Sequence, residues 1–255
     1  MTYAVISDIH ANLRALEAVL RDLDAQGVDE IYCLGDVVGY GPDPTECVDL
    51  VRERARRTVK GNHDEALVHG AYGFHLRAQE AIDWTRDELK PGFFSGLRVR
   101  ERWEWITSLP LRFERGQDVF VHGSPRDPTS EYLLAAWIHS KREAFHEAFT
   151  ATDRLLFTGH THLPCAITDT YEVAASQEDY VFGARGEERA IINVGSVGQP
   201  RDKDPRACYA LVHEEGADLR VQWRRVAYAI EDTVQRVFAQ PRLDDRLGER
   251  LRHGA

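Results

Sequence analysis

The chain has 255 residues, of which 43% are hydrophobic and 29% are charged. This balance allows a sizeable buried core and excludes a disordered or membrane-embedded protein. The 42 acidic residues outnumber the 32 basic ones and give a formal charge of -10. That excess disfavours broad nucleic-acid binding, which needs a positive surface, although a local basic groove remains compatible with it.

The chain opens directly into the apolar run Tyr3-Ala4-Val5-Ile6. It shows no signal-peptide pattern, and no apolar stretch is long enough to span a bilayer, so we expect a cytoplasmic protein without a membrane partner. The cysteines form no CxxC pair, and we expect reduced thiols instead of disulfides or a thiolate metal site. They are Cys33, Cys47, Cys165 and Cys208.

The first 65 residues alternate short apolar runs with amphipathic segments, which is typical of βαβ units. Strands are predicted at 3–6, 31–34 and 58–59. Asn12 is the expected cap of the first helix, and Asp43 with Pro44 starts a second helix that continues through Val51. The apolar face of the first helix consists of Leu13, Leu16, Leu20 and Leu23.

The segment from about 67 to 109 has long helical patterns rich in aromatic residues. We interpret it as a helical cap inserted into a single domain that covers 1–255. Its aromatics either pack against the core or form a wall of a substrate cleft.

Strands return after Pro110, and a helical stretch is predicted from about Tyr132 to Phe149. The successive short strands that follow indicate a more antiparallel second sheet. A helical extension is expected at about 229–255. The predicted strands lie at 111–113, 119–121, 155–158, 165–168, 190–193, 208–213 and 219–226.

Five polar blocks each follow an apolar, strand-like run. Ligand sites in open α/β sheets form outside the carboxyl ends of strands, so the blocks can converge on one edge. Carboxylate, imidazole and amide donors together suit borderline metals, and two such ions need a bridging carboxylate, for which Asp36 is the candidate. Asp8 and His10 alternate along the chain, as do His160 and His162, so each pair can face one side of an extended segment. The blocks are Asp8-Ile9-His10, Gly35-Asp36, Gly61-Asn62-His63-Asp64, His122-Gly123 and Gly159-His160-Thr161-His162.

In this order the blocks resemble the calcineurin-like metallophosphoesterase superfamily, whose pattern is DxH, GD, GNH(D/E), H and GHxH. The resemblance covers about residues 1–212. It implies that one metal is held by Asp8, His10 and His162, the other by Asn62, His122 and His160, and that Asp36 bridges them. It further implies that His63 acts at the leaving group with Asp64 orienting it, within an α/β four-layer sandwich of two mixed β-sheets flanked by helices.

Two segments indicate which branch of the superfamily the chain resembles. Gly35 to Pro42 lacks the Asp-Arg-Gly continuation of protein Ser/Thr phosphatases, which makes protein phosphatase activity less expected. Asn193 to Arg201 is similar to a segment of small bacterial phosphodiesterases and diadenosine tetraphosphatase-like proteins, with Val194 in place of a proline. This segment is either a tight strand-to-loop connection or a glycine-rich loop in which Arg201 clamps phosphate.

We therefore predict a hydrolase in which two divalent transition metals, manganese first and iron, zinc, nickel or cobalt as alternatives, generate a bridging hydroxide that attacks a phosphodiester or phosphomonoester. The expected partner is a small phosphate ester. The alternatives are a catalytically silent scaffold that keeps the fold, and a nuclease, which the net charge disfavours. The histidines outside the blocks are expected to have surface or packing roles: His69, His75, His139, His146, His213 and His253.

Overall fold

The computed structural model describes residues 1–184, 186–216 and 218–255. The strands are β1 (Thr2–Ile6), β2 (Glu30–Cys33), β3 (Arg57–Thr58), β4 (Arg112–Arg115), β5 (Asp118–Val121), β6 (Leu155–Thr158), β7 (Cys165–Thr168), β8 (Val173–Ala175), β9 (Tyr180–Val181), β10 (Ala190–Asn193), β11 (Ala207–Glu215) and β12 (Asp218–Val226). The α-helices are α1 (Leu13–Gln26), α2 (Pro44–Arg54), α3 (Asn62–His69), α4 (Leu76–Leu89), α5 (Leu97–Thr107), α6 (Arg142–Thr150), α7 (Ile230–Ala239) and α8 (Asp245–Glu249). Short 3₁₀ helices lie at Ala135–Trp137 and Arg250–Arg252.

The strands form two six-stranded mixed sheets. The first has the order β3-β2-β1-β11-β12-β9, and the second has the order β4-β5-β6-β10-β7-β8. In the first sheet β1, β2 and β3 are parallel, while β11 runs antiparallel to β1. In the second sheet β5, β6 and β10 are parallel. The carboxyl ends of the parallel strands carry the five polar blocks.

Successive side chains of each strand point to opposite faces of the sheet, and this alternation builds the layers of the sandwich. Tyr3 and Val5 of β1 pack between the two sheets against aromatic side chains of the second sheet, including Phe157. Ala4 and Ile6 point the other way and pack under α1 and α2. The outer face of the second sheet is covered in the same way by α6. The predicted four-layer α/β sandwich of two mixed sheets flanked by helices is therefore confirmed.

The first two helices begin as the sequence predicts. The Asn12 side chain accepts a hydrogen bond from the Ala15 amide at 3.2 Å and so caps α1. Asp43 occupies the N-cap of α2 with Pro44 after it, but its side chain makes no capping bond. The Asp43 carboxylate instead forms an ion pair with Arg236 of α7.

The predicted helical stretch from Tyr132 to Phe149 is only partly helical. A 3₁₀ turn occupies Ala135–Trp137, and α6 does not begin until Arg142. The segment before it is drawn towards the polar blocks, because the Tyr132 ring stacks on His160 and the Ser130 carbonyl accepts a hydrogen bond from that histidine. These tertiary contacts override the local helical pattern. The short strands β8 and β9 were not predicted.

The segment predicted as a cap contains the end of α3 and the helices α4 and α5. Trp84 is buried against the C-terminal helices, whereas Phe93 and Phe94 are exposed. The C-terminal residues form α7, α8 and a 3₁₀ turn. That these segments act as a cap and an extension of one domain stays a prediction. No helix in the described part of the chain is long and apolar enough to cross a membrane.

Candidate metal centre

The side chains predicted to bind metal meet at one edge of the sandwich. Asp8 and His10 follow β1, Asp36 follows β2, and Asn62 begins α3 just beyond β3. His122 follows β5, while His160 and His162 follow β6, so the second sheet supplies the remaining side chains. The carboxylates and imidazoles of this set are buried.

The first group brings Asp8, His10 and His162 together. The Nε2 atom of His162 lies 3.1 Å from Asp8 Oδ1, and the Nε2 atom of His10 lies 3.7 Å from the same oxygen. The two Nε2 atoms are 3.2 Å apart. These donors are close enough to share one ion.

The second group is built around His122. Its Nε2 atom lies 3.1 Å from Asn62 Oδ1 and 3.1 Å from His160 Nδ1. Asp36 lies between the groups, with its Oδ2 atom 3.7 Å from His10 Nε2 and 3.4 Å from His122 Nε2. Asp36 is thus the carboxylate within reach of both sets.

The orientation of the histidines leaves lone pairs facing one another. The Nδ1 atoms of His10, His122 and His162 lie at the carbonyl oxygens of Val38, Leu34 and Gln199, which can only accept hydrogen bonds. His160 is reversed, with its Nε2 at the Ser130 carbonyl. When the imidazoles are neutral, those N–H groups are committed and the inner nitrogens carry lone pairs, so nitrogens about 3.1–3.2 Å apart cannot bond each other. Such a donor set fits cations, and the carbonyls fix the tautomers as metal sites require.

The backbone at these side chains is left-handed, contrary to the predicted extended geometry. Asp8 and His10 have φ values of 54° and 50°, Asp36 has 49°, and His160 and His162 have 62° and 60°. This conformation is uncommon for residues other than glycine and concentrates at functional sites. Successive tight bends, not an extended chain, turn the paired side chains to one side.

Burial and neighbouring charges shift the pKa values of the carboxylates and imidazoles in this cluster. Burial raises the pKa of Asp36, but His122 and His63 outweigh it and hold that pKa well below its ordinary value. Burial lowers the pKa of His122, and the carboxylates of Asp36 and Asp8 raise it to about 9. Burial and the neighbouring His122 lower the pKa of His160 to about 3. The carboxylates are therefore ionised at neutral pH, as metal binding needs, and His122 has to release its Nε2 proton when an ion binds.

The Asp64 side chain binds backbone amides next to His63, and its orienting role stays a prediction. The Asp64 carboxylate accepts hydrogen bonds from the amides of Val37 at 3.0 Å and Gly61 at 3.0 Å, so it fixes the loop after β2. In the described part of the chain, His63 Nδ1 is buried without a hydrogen-bond partner. Burial, with Arg201 and His122 nearby, lowers the pKa of His63 to about 4. The His63 imidazole is therefore neutral at pH 7.

Close backbone approaches hold the blocks together. A Cβ atom on Gly61 would lie 2.1 Å from Asp36 Oδ1, so only glycine allows α3 to start this close to the carboxylate. The His63 amide donates to the same oxygen at 2.8 Å. The segment after β10 supports Asp8 in turn, because the Ser196 hydroxyl and the Gly198 amide donate to its carbonyl at 2.8 and 2.9 Å.

Residues 1–217 match the sequence profile of the calcineurin-like phosphoesterase superfamily domain. The chain belongs to this superfamily. An uncharacterised protein of Methanocaldococcus jannaschii is 36% identical over 97% of this chain and 96% of its own. A metallophosphoesterase from Sphaerobacter thermophilus superposes with a TM-score of 0.81 at 39% identity, covering 100% of both chains. The predicted resemblance and the predicted enzyme class, a phosphoester hydrolase, are confirmed.

A more distant relative of this calcineurin-like phosphoesterase is the symmetrical bis(5'-nucleosyl)-tetraphosphatase of Pasteurella multocida. It is 22% identical over 62% of this chain and 64% of its own length. This chain thus spans slightly less than two thirds of that relative.

A cleft of about 380 Å³ opens over the predicted metal-binding side chains of this phosphoesterase. Asp36, Asn62, His160 and His162 line its floor, and Arg201, singled out in the sequence, lines its side. Tyr72 and Phe74 of the predicted cap line its walls. The walls also contain residues that sequence reasoning missed, because no local pattern marks them: Tyr40, His75, Ser130 and Tyr132. His75 had been expected to have only a surface or packing role.

Proposed function

We propose that the chain is a dinuclear metal-dependent phosphoesterase that hydrolyses a small phosphodiester or phosphomonoester. The observation that carries the proposal is the pair of buried donor groups that share Asp36. Asp8, His10 and His162 would hold one ion, and Asn62, His122 and His160 the other. Bound ions would lower the pKa of water and neutralise charge on the phosphoryl oxygens.

The chain's own residues supply the remaining roles. Arg201 lies at the side of the cleft, where its guanidinium can bind a phosphoryl oxygen. His63 also faces the cleft and is the proposed donor to the leaving oxygen, while Asp64 holds the neighbouring loop. The cleft of about 380 Å³ suits a small substrate better than a nucleic-acid duplex.

The mixed donor set of carboxylate, imidazole and amide oxygen supports a borderline divalent ion, with manganese proposed first and iron, zinc, nickel and cobalt as alternatives. The four free cysteines are compatible with a reducing compartment and support the proposed cytoplasmic location.

The test is metal stoichiometry together with turnover. Protein reconstituted with manganese should contain close to two ions per chain by plasma mass spectrometry, and Asp36→Asn should lose at least one of them. Asp153→Asn, which alters an exposed carboxylate outside the cleft, is the control. One ion at most, with Asp36→Asn binding as well as wild type, would contradict the dinuclear proposal.

Turnover should be measured on bis-p-nitrophenyl phosphate, p-nitrophenyl phosphate and dinucleoside polyphosphates, the last chosen because of the tetraphosphatase relatives. Metal-dependent hydrolysis of at least one class is expected. Full metal loading without hydrolysis of any would instead favour the silent scaffold.

A further inference from the structure

Gln199 contacts both a proposed metal ligand and the arginine proposed to bind phosphate. Its backbone carbonyl oxygen accepts a hydrogen bond from the Nδ1 atom of His162. Its side-chain Oε1 atom accepts a second one from the Nη2 atom of Arg201 at 2.9 Å. A guanidinium can only donate, so the oxygen end of the Gln199 amide is the end that faces Arg201. One residue therefore links the positions of His162 and Arg201.

The backbone of Gln199 is itself fixed against the loop after β1. Its amide donates to the Ser196 hydroxyl at 2.8 Å, and that hydroxyl donates to the Asp8 carbonyl oxygen at 2.8 Å. The amide of the preceding residue, Gly198, donates to the same carbonyl oxygen at 2.9 Å. The Gln199 residue is only 2% exposed. Its Oε1 atom is therefore a hydrogen-bond acceptor held in a fixed place.

Gln199 and Arg201 lie on different sides of the site. The half-buried Arg201 lines the cleft of about 380 Å³, and Gln199 is not among the described residues that line it. Gln199 instead lines a separate small cavity next to His10 and Asn12. A ligand in the cleft would contact Arg201, whereas Gln199 could act on that ligand only through Arg201.

The acceptor that holds Arg201 carries no charge. A guanidinium has five N–H donors, and the bond to Gln199 uses one of them. The Nε atom of Arg201 is buried without a hydrogen-bond partner among the described residues, and no carboxylate oxygen of those residues lies within 4 Å of this arginine. Arg154 differs, because it pairs with the carboxylate of Asp118 at 2.6 Å. Arg201 is thus held in place while its positive charge stays uncompensated.

We propose that Gln199 is a positioning residue, which orients the Arg201 guanidinium towards the cleft through an uncharged acceptor and so leaves its charge for a phosphoryl group. This inference rests on the proposed function, in which Arg201 binds phosphate. An arginine that is already held loses less side-chain freedom when phosphate binds. A carboxylate at position 199 would hold the guanidinium too, but it would compete with the phosphate for the same charge.

The test measures the affinity of manganese-loaded protein for inorganic phosphate by calorimetry, together with its affinity for manganese. Gln199→Met keeps an unbranched side chain and the backbone carbonyl but removes the acceptor. It should bind phosphate about five-fold more weakly, the scale set by immobilising one long side chain. Its manganese affinity should not change, because the partner of His162 is retained. An unchanged phosphate affinity, or an equal fall in manganese affinity, would overturn the inference.

Gln199→Glu tests the need for an uncharged acceptor. Its carboxylate should bond Arg201 and neutralise it, so phosphate affinity should fall although the guanidinium is still held. Phosphate binding as tight as in wild type would overturn the proposed role of the neutral amide. The control is Gln222→Met, which removes an amide that donates to Asp179 at 3.1 Å outside the cleft and should bind phosphate like wild type.

A double-variant cycle shows whether Gln199 acts through Arg201. In an Arg201→Gln background, Gln199→Met should cause no further loss of phosphate affinity. The same loss in both backgrounds would overturn the positioning role and leave the proposed function intact. If Arg201→Gln alone binds phosphate as tightly as wild type, the phosphate-binding role of Arg201 in the proposed function is refuted, and the inference with it.

Discussion

His63 is enclosed by rings from three other segments of the chain. Tyr40, His10 and Phe74 have ring centroids 4.4, 4.8 and 5.1 Å from the imidazole. Its Nδ1 atom faces Gly39, where a Cβ atom would lie only 2.2 Å away. A tautomer with hydrogen on Nε2 leaves only a lone pair on the buried Nδ1. Aromatic packing, rather than a carboxylate, therefore orients this residue.

Because its pKa is lowered to about 4, His63 is neutral at pH 7 and can contribute only its ring N–H to the leaving oxygen. His63→Gln should keep both metals. It should lose about 10²-fold in rate for an alkyl leaving group, the usual cost of removing one hydrogen-bond donor to a developing oxyanion, and much less for p-nitrophenolate, whose oxygen carries less charge. Steady-state kinetics on a matched pair of diesters measures the difference. Equal losses at unchanged metal content would remove the donor role.

For single residues, the sequence predicts which side chains are candidate metal ligands, but it does not predict the backbone conformation or the neighbouring side chains around them. Seven residues were selected as ligands from their types and their order after apolar runs, and the structure brings all seven together. The left-handed backbone of five of them was not predicted, because aspartate and histidine are not diagnostic of it. Tyr132 and Tyr40 were also missed, since they reach the site only through tertiary packing.

Among the loops and helices, the segment after β10 is the support on which the Asp8 loop rests. A Cβ atom on Gly198 would lie 1.7 Å from the Ile9 carbonyl oxygen, which leaves no room for a side chain. Gly198→Ala should push this loop away from Asp8 and destabilise the protein by about 1–3 kcal/mol, as overpacking does. Denaturant unfolding measures the loss, and metal titration should show weaker binding.

Gly92→Ala provides the control, because a Cβ atom there would meet no heavy atom closer than 3.9 Å. It should unfold at the wild-type denaturant concentration. If Gly198→Ala also unfolds and binds metal like wild type, the supporting role of this loop is wrong.

Aromatic side chains of the predicted cap differ in where they lie. Tyr72 and Phe93 are both 88% exposed, but Tyr72 lines the cleft and Phe93 does not. If the cap walls the substrate cleft, Tyr72→Ala should raise KM several-fold, since an aromatic contact contributes about 0.5–1.5 kcal/mol. Phe93→Ala should leave KM unchanged. Identical KM values for both variants would remove the substrate-wall role.

Element prediction succeeded where the pattern was local. The spacing of Leu16, Leu20 and Leu23 and the cap at Asn12 define α1 in the sequence and in the structure. The segment before α6 was predicted as helix because its composition is helical. It departs from that prediction because Tyr132 and Ser130 contact His160, a residue about thirty positions away.

For the molecule as a whole, the proposed metal-binding side chains come from both sheets. Asp8, His10 and Asp36 extend from the first sheet, whereas His122 and His160 extend from the second. An ion bound between them would link the two halves of the sandwich and so stabilise the folded state by mass action.

Manganese at a hundred times its dissociation constant should therefore stabilise the protein by about 2.7 kcal/mol. This corresponds to an increase in Tm of about 5–10 °C for a chain of this size. Differential scanning calorimetry with manganese or with EDTA measures the shift. Asp36→Asn should reduce it, while His139→Gln, at an exposed histidine, should not. A Tm independent of manganese in wild type would contradict an ion shared between the sheets.

The order of strands within each sheet lay beyond sequence reasoning. The parallel start and the antiparallel end were expected from the spacing of apolar runs, and both are present. The pairing of β1 with β11 was not predicted, because no local pattern encodes a partner about two hundred residues away.

The pairing of β1 with β11 also determines when the first sheet can be completed during translation. When His162 leaves the ribosome, every proposed metal ligand has been made, yet β1 still has an open edge where β11 will later pair. At about 5–20 residues per second, the ribosome needs several more seconds to supply β11. During that interval the nascent chain carries the complete donor set on an incomplete sheet. The active form can therefore assemble only late in translation, after β11 has been synthesised and has paired with β1.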